Sequence, residues 1–185
     1  FPDTAARKDA GFDEFLQQPL LPFARPRLIG AAAAADLNGD DRADVILGGP
    51  SGQGTIVLLG GEDFVFEEKW SLDLEEDFPS ADAGFALGDF DRDGNADLLA
   101  ASGGATLEAG DLSYQDRLYL GDGEGDLLRE FDSELSETAT STGAVAMADF
   151  DGDGFPDLFV GGGTVPGRYP ETVASALWRG LPDGG

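Results

Sequence analysis

The stretch Asp149-Phe150-Asp151-Gly152-Asp153-Gly154-Phe155-Pro156-Asp157 decides how this chain is read. It places carboxylates at loop positions 1, 3, 5 and 9, with glycine at position 6. Alternate aspartates crowded this closely repel one another unless a cation sits between them. Hard oxygen donors at this spacing suit Ca²⁺, which takes six to eight oxygens at roughly 2.3–2.6 Å. Phe155, at position 7, is expected to offer its backbone carbonyl. Gly154 supplies a sharp turn that a Cβ resists.

The loop has two siblings, Asp36-Leu37-Asn38-Gly39-Asp40-Asp41-Arg42-Ala43-Asp44 and Asp89-Phe90-Asp91-Arg92-Asp93-Gly94-Asn95-Ala96-Asp97. One acidic loop alone reads as a solvated turn; three copies of one pattern read as three Ca²⁺ sites. The expected ligands are Asp36, Asn38, Asp40 and Asp44; Asp89, Asp91, Asp93 and Asp97; and Asp149, Asp151, Asp153 and Asp157. The carbonyls of Arg42, Asn95 and Phe155 complete the three sets. The first loop is expected to bind weakest, because Asn38 replaces a carboxylate and Asp41 stands where the others have glycine. An EF-hand needs flanking helices and a glutamate at position 12. Here position 12 is Leu47, Ala100 or Val160, so that reading fails. Each loop instead lies between short apolar runs, such as Ala144–Ala148 and Leu158–Val160, which read as buried strands.

Strand, D-x-[DN]-x-D-x-x-x-D, strand, then Gly-Gly resembles the FG-GAP or VCBS repeat, the blade of integrin-like β-propellers. Ala148–Gly154 and Asp157–Gly162 carry the likeness most clearly. Asp116–Gly123 and Val165–Pro170 resemble blade segments of secreted bacterial proteins of this kind, including those with an ASPIC/UnbV tail, which is absent here. The resemblance covers most of residues 30–185 and implies an all-β fold of four-stranded antiparallel blades. It also implies Ca²⁺ ions that stabilise the blades and, in many members, adhesion or recognition.

Composition sets the outer bounds. The chain has 185 residues, enough for a sizeable core, and a net charge of −26 from 37 acids against 11 bases. Eleven of those acids stand at the expected ligand positions, three in the first loop and four in each of the others. Three divalent ions would move the balance from −26 to about −20. The remaining charge argues against nucleic acid, whose phosphates need Lys and Arg, and against an anionic membrane surface. Cysteine is absent, so there are no disulfides or thiolate metal sites. No apolar run approaches the ~20 residues of a membrane-spanning helix, so no membrane insertion is expected. Loops that bind Ca²⁺ favour an extracellular, secreted or cell-surface location. Neither asparagine begins an N-glycosylation sequon.

Along the chain, an insertion is expected at 5–29, broken by Pro19, Pro22 and Pro26. Blade one is expected over 30–75 with strands near 31–36, 44–48, 55–60 and 64–70. Blade two is expected over 84–135 with strands near 84–89, 97–101, 117–121 and 126–131. Blade three, over 143–185, has strands near 143–149, 157–161 and 174–180 and lacks an outer strand. Ser136–Thr142 reads as a polar linker. Phe1–Thr4 is expected to supply the missing outer strand to another copy, by head-to-tail strand complementation. Closed propellers need about four to eight blades, so three blades do not make a ring.

Histidine is absent, which removes Ser-His-Asp and Cys-His catalysis and imidazole zinc ligands. The acids are explained as ligands or solvated surface, and no enzymatic role is expected. Two readings follow: a structural unit assembled from copies of itself, or a recognition module binding a glycan or protein through blade loops. Trp70, Tyr114, Tyr169 and Trp178 are the aromatics an exposed recognition face would need, although core packing is the commoner use of each.

Overall fold

The computed structural model describes residue 19, residues 30–131 and residues 139–181. The expected strand at Phe1–Thr4, nearly all of the 5–29 insertion and the turn Pro182–Gly185 lie outside the described residues.

Among the described residues, eleven strands form three antiparallel sheets. Sheet one orders β1 (Ala32–Ala35), β2 (Asp44–Leu47), β3 (Ile56–Gly60) and β4 (Phe66–Lys69) in sequence. Sheet two does the same with β5 (Asp82–Gly88), β6 (Asp97–Ser102), β7 (Arg117–Gly121) and β8 (Leu127–Glu130). Sheet three pairs β9 (Thr142–Ala148), β10 (Asp157–Gly162) and β11 (Ala176–Trp178), with β11 at its edge. Each meander is one blade. Each Asp-rich loop joins the first two strands of its blade, and the first strands β1, β5 and β9 lie next to one another in that order.

Two apolar cores separate the blades. Leu37, Ile46, Val57 and Leu74 meet Leu98, Ala100, Tyr119 and Leu127 between blades one and two. On the other side of sheet two, Ala86 and Leu99 meet Leu158, with Phe90, Val145, Met147 and Val160 packed against them. Strand β6 serves both cores, which is why Asp-Leu-Leu-Ala-Ala-Ser is buried at every position. Burying Leu98 and Leu99 contributes about 1.5–3 kcal/mol each.

The rim opposite the Asp-rich loops is stapled by buried polar groups. Asp82 accepts from Gly49 N–H at 2.7 Å and Thr55 Oγ1–H at 2.9 Å, and pairs with the buried Arg117, joining blades one and two. Asp116 accepts from Ser102 N–H at 2.8 Å and from Thr142 Oγ1–H at 2.9 Å, joining blades two and three.

Four expectations need correction. Phe64 does not resume the sheet: it ends a 3-10 turn at Glu62–Phe64, with φ of 59°, and the strand starts at Phe66. A short helix, α1 (Leu72–Glu76), follows blade one because Leu74 is drawn into the first core. Ser141 and Thr142, read as linker, are buried, and Thr142 opens β9. Trp70, read more readily as core, is exposed, whereas Tyr114 is core as that reading expects, its hydroxyl bonded to the backbone of Leu107.

Candidate functional site

The three loops share one backbone design, built from aspartates that bend the chain around their own side chains. At position 1, Asp36 Oδ2 accepts from Asp41 N–H at 2.8 Å and its Oδ1 from Gly39 N–H at 2.8 Å. Asp149 does the same with Gly154 N–H at 3.0 Å and Gly152 N–H at 2.7 Å, and Asp89 takes Gly94 N–H at 3.1 Å. At position 3, Asn38, Asp91 and Asp151 each accept from the amide two residues on. At position 5, Asp40, Asp93 and Asp153 accept from Arg42, Asn95 and Phe155 N–H at 2.8–2.9 Å. Position 6 takes positive φ in all three: 63° at Asp41, 94° at Gly94 and 90° at Gly154. Position 4 does so as well, which forces Arg92 to φ of 67° where the siblings have Gly39 and Gly152.

Position 9 does a different job. Asp44, Asp97 and Asp157 are buried, and each carboxylate bridges two amides. One oxygen takes the position-2 N–H: Leu37 at 2.8 Å, Phe90 at 2.6 Å, Phe150 at 2.9 Å. The other takes the N–H of a glycine at or just past the end of the blade's third strand: Gly60 at 2.7 Å, Gly121 at 2.8 Å, Gly180 at 2.9 Å. A Cβ on those glycines would meet the position-8 carbonyl oxygen at 2.4 Å from Ala43, 2.3 Å from Ala96 and 2.3 Å from Pro156. Gly60, Gly121 and Gly180 therefore belong to the loop design although they lie far from it in sequence. The signal that points to them is a glycine ending each third strand.

These contacts set the charges. Desolvation works against ionisation of Asp36, but the amides of Asp41, Asp40, Gly39 and Asn38 outweigh it and hold the carboxyl below the usual range. Asp157 is held low by the amides of Gly180 and Phe150. Asp97 has equivalent partners yet is raised, because desolvation between two packed blades outweighs the amides of Gly121 and Phe90.

Among the described residues, two groups of three carboxylates bring oxygens within 4.8 Å of one another and can hold a metal ion: Asp89, Asp91 and Asp97, and Asp149, Asp151 and Asp153. Hard oxygen donors gathered on a loop of alternating left-handed turns fit a divalent cation such as Ca²⁺. The first loop does not gather Asp36, Asp40 and Asp44 in this way; Asn38 stands where the siblings have a carboxylate and donates Nδ2–H to Asp40 at 3.4 Å. In the third loop, Arg179 reaches Asp151 and Asp153 at 2.8 Å each, from a position held by Leu59 and Leu120 in the other blades. Neighbouring blades also touch here. Gly125 N–H donates to Leu37 O at 3.1 Å, and Arg92 lies over the Phe155 ring at 4.3 Å while donating to Leu181 O.

The family model of the FG-GAP-like repeat matches residues 36–100 and 102–160; the first match spans the loops at 36–44 and 89–97, and the second runs from the end of β6 through the loop at 149–157 into β10.

The chain belongs to the FG-GAP repeat family.

FG-GAP repeats are typically extracellular interaction or structural modules, and this chain carries that domain. It is 31% identical over 169 residues to phosphatidylinositol-glycan-specific phospholipase D from Rattus norvegicus, covering 80% of this chain and 20% of the relative. It is 30% identical over 183 residues to the Bos taurus protein of the same name, covering 86% of this chain and 22% of that relative. The chain thus spans about a fifth of the length of the curated relatives it matches. Among the described residues, no helix is long and apolar enough to cross a membrane.

Proposed function

We propose that this FG-GAP chain is an extracellular, Ca²⁺-stabilised structural module without a catalytic role, whose copies assemble head to tail. The observation that carries this reading is the loop design itself. Three loops on one rim hold alternate carboxylates in place through their own backbone amides, while each position-9 aspartate ties the loop to the third strand. Asp36, Asn38, Asp40 and Asp44, Asp89, Asp91, Asp93 and Asp97, and Asp149, Asp151, Asp153 and Asp157 are the proposed ligands, with the carbonyls of Arg42, Asn95 and Phe155. A bound Ca²⁺ supplies positive charge where these side chains otherwise repel. The chain's own residues fix the strand order around that charge. The sequence holds neither histidine nor cysteine, which supports a non-catalytic reading. The phospholipase activity named for the relatives is not carried over, because the match covers about a fifth of them.

Differential scanning calorimetry in excess EGTA tests the calcium part. An ion that binds only the folded state stabilises it by mass action, so chelation lowers the melting temperature. An unchanged melt, together with no calcium by elemental analysis, refutes it. Light scattering across protein concentration tests assembly.

A second reading, recognition of a glycan or protein, is favoured by exposed apolar side chains on neighbouring segments. Trp70 and Leu72 lie beside strand β8, which exposes Leu128 and leads to the exposed Phe131. Binding to glycan or protein arrays that falls on Trp70→Ala replacement distinguishes this reading from the first.

A further inference from the structure

Each blade carries one transverse row of side chains aimed at the next blade. In blade one the row is Ala33, Ile46 and Val57, which are register partners across β1, β2 and β3. In blade two it is Ala86, Leu99 and Leu118 across β5, β6 and β7. In blade three it is Ala146, Phe159 and Leu177 across β9, β10 and β11. Ile46 and Leu99 are 0% exposed because a neighbouring blade covers them. Phe159 and Leu177, in the same register positions, are 37% and 64% exposed.

The opposite face of each blade receives such a row. Blade two receives with Phe85, Leu87, Leu98 and Ala100, and blade three with Val145, Met147, Leu158 and Val160. The equivalent positions of blade one, counted from its loop, are Ala32, Ala34, Val45 and Leu47, and none of the four is buried. The chain therefore carries both halves of one more inter-blade interface. The two halves also match in volume. Blade three offers a ring at Phe159 where the other rows have Ile46 and Leu99. Blade one recedes to Ala32 and Ala34 where the other receiving faces have Phe85 and Leu87 or Val145 and Met147. Large side chains set against small ones are what close packing requires.

We propose that the outer face of blade three seats the receiving face of blade one of a second copy of this chain. This rests on the assembly reading above and names its surface. The contact is heterologous, so copies either close into a ring or extend as a filament. The partner surface is a packed sheet face, distinct from strand addition at the β11 edge.

The test uses the whole chain with millimolar calcium, followed by sedimentation and light scattering over a range of concentrations. The expected result is a mass that rises with concentration to twice the monomer or beyond. Phe159→Asp and, independently, Leu177→Arg remove the donor row; Ala34→Asp removes the receiver. Each variant alone is expected to stay monomeric with an unchanged circular dichroism spectrum. A mixture of Phe159→Asp with Ala34→Asp keeps one good interface and is expected to stop at a heterodimer. A parent chain that is monomeric at every concentration overturns both this proposal and the assembly reading. Assembly that survives Phe159→Asp and Leu177→Arg overturns this surface alone and leaves the assembly reading in place.

Discussion

Asp116 is a carboxylate held where water is scarce. Burial pushes it up to about 6, against the opposing pull of the Ser102 amide, the Thr142 hydroxyl and the Arg117 guanidinium. Its folded value lies above the unfolded 3.8, so keeping it ionised costs stability in full above about pH 6. That cost fades as pH falls through the folded value, because the folded state then takes up a proton. About two units correspond to roughly 3 kcal/mol. Asp116→Asn is therefore expected to gain on the parent most at pH 8 and to lose that advantage near pH 4, as read by denaturation midpoints across pH. Gly121 is the second residue-scale case. A Cβ there meets Ala96 O at 2.3 Å, so Gly121→Ala is expected to cost about 2–3 kcal/mol and to lower the melting temperature by several degrees. The aspartates of the loops were legible because spacing alone reveals them. Gly121 was not, because its role depends on a carbonyl 25 residues earlier that only the folded sheet brings close.

At the scale of the element, strands were readable wherever an apolar run was bounded by an Asp-rich loop, and β2, β6 and β10 begin at the position-9 aspartate, as expected. Helix α1 was not legible: five residues make less than two turns, too few for a helical period to show. That the turn at Glu62–Phe64 takes in Phe64 escaped because Phe64 looks like a strand residue while its φ is left-handed. The carboxylate sets themselves rank the loops. The first has one charge fewer and a non-glycine at position 6, so site-resolved calcium titration is expected to empty it first. Filling of the first loop ahead of the other two would contradict the charge argument. The third loop has a resident cation in Arg179 on two of its carboxylates. Arg179→Leu is expected to tighten that loop about two- to fivefold, a modest gain because the pair is partly exposed and screened. Calorimetric titration of parent and variant compares them directly.

The whole molecule carries a formal charge of −26, a self-repulsion that the proposed Ca²⁺ ions would relieve. Added sodium chloride is expected to raise the melting temperature of the EGTA-treated chain more than that of the calcium-loaded one, since screening then replaces part of what the ions supplied. Equal salt responses in the two states would show that the loops carry no ion. Blade order was legible from the three loops, but not which blade would be most enclosed, because that depends on neighbours on both sides. Blade two has one apolar core on each face and contributes β6 to both. A linear stack of this kind opens from its outer units. Backbone amides of Leu98 to Ala101 are therefore expected to exchange with deuterium slowest of all, at the rate of global opening. Amides of Ala176 to Trp178 exchange fastest among the strands. Blade two thus sets the lifetime of the stack, while the blades beside it fray and re-form without dissolving the molecule.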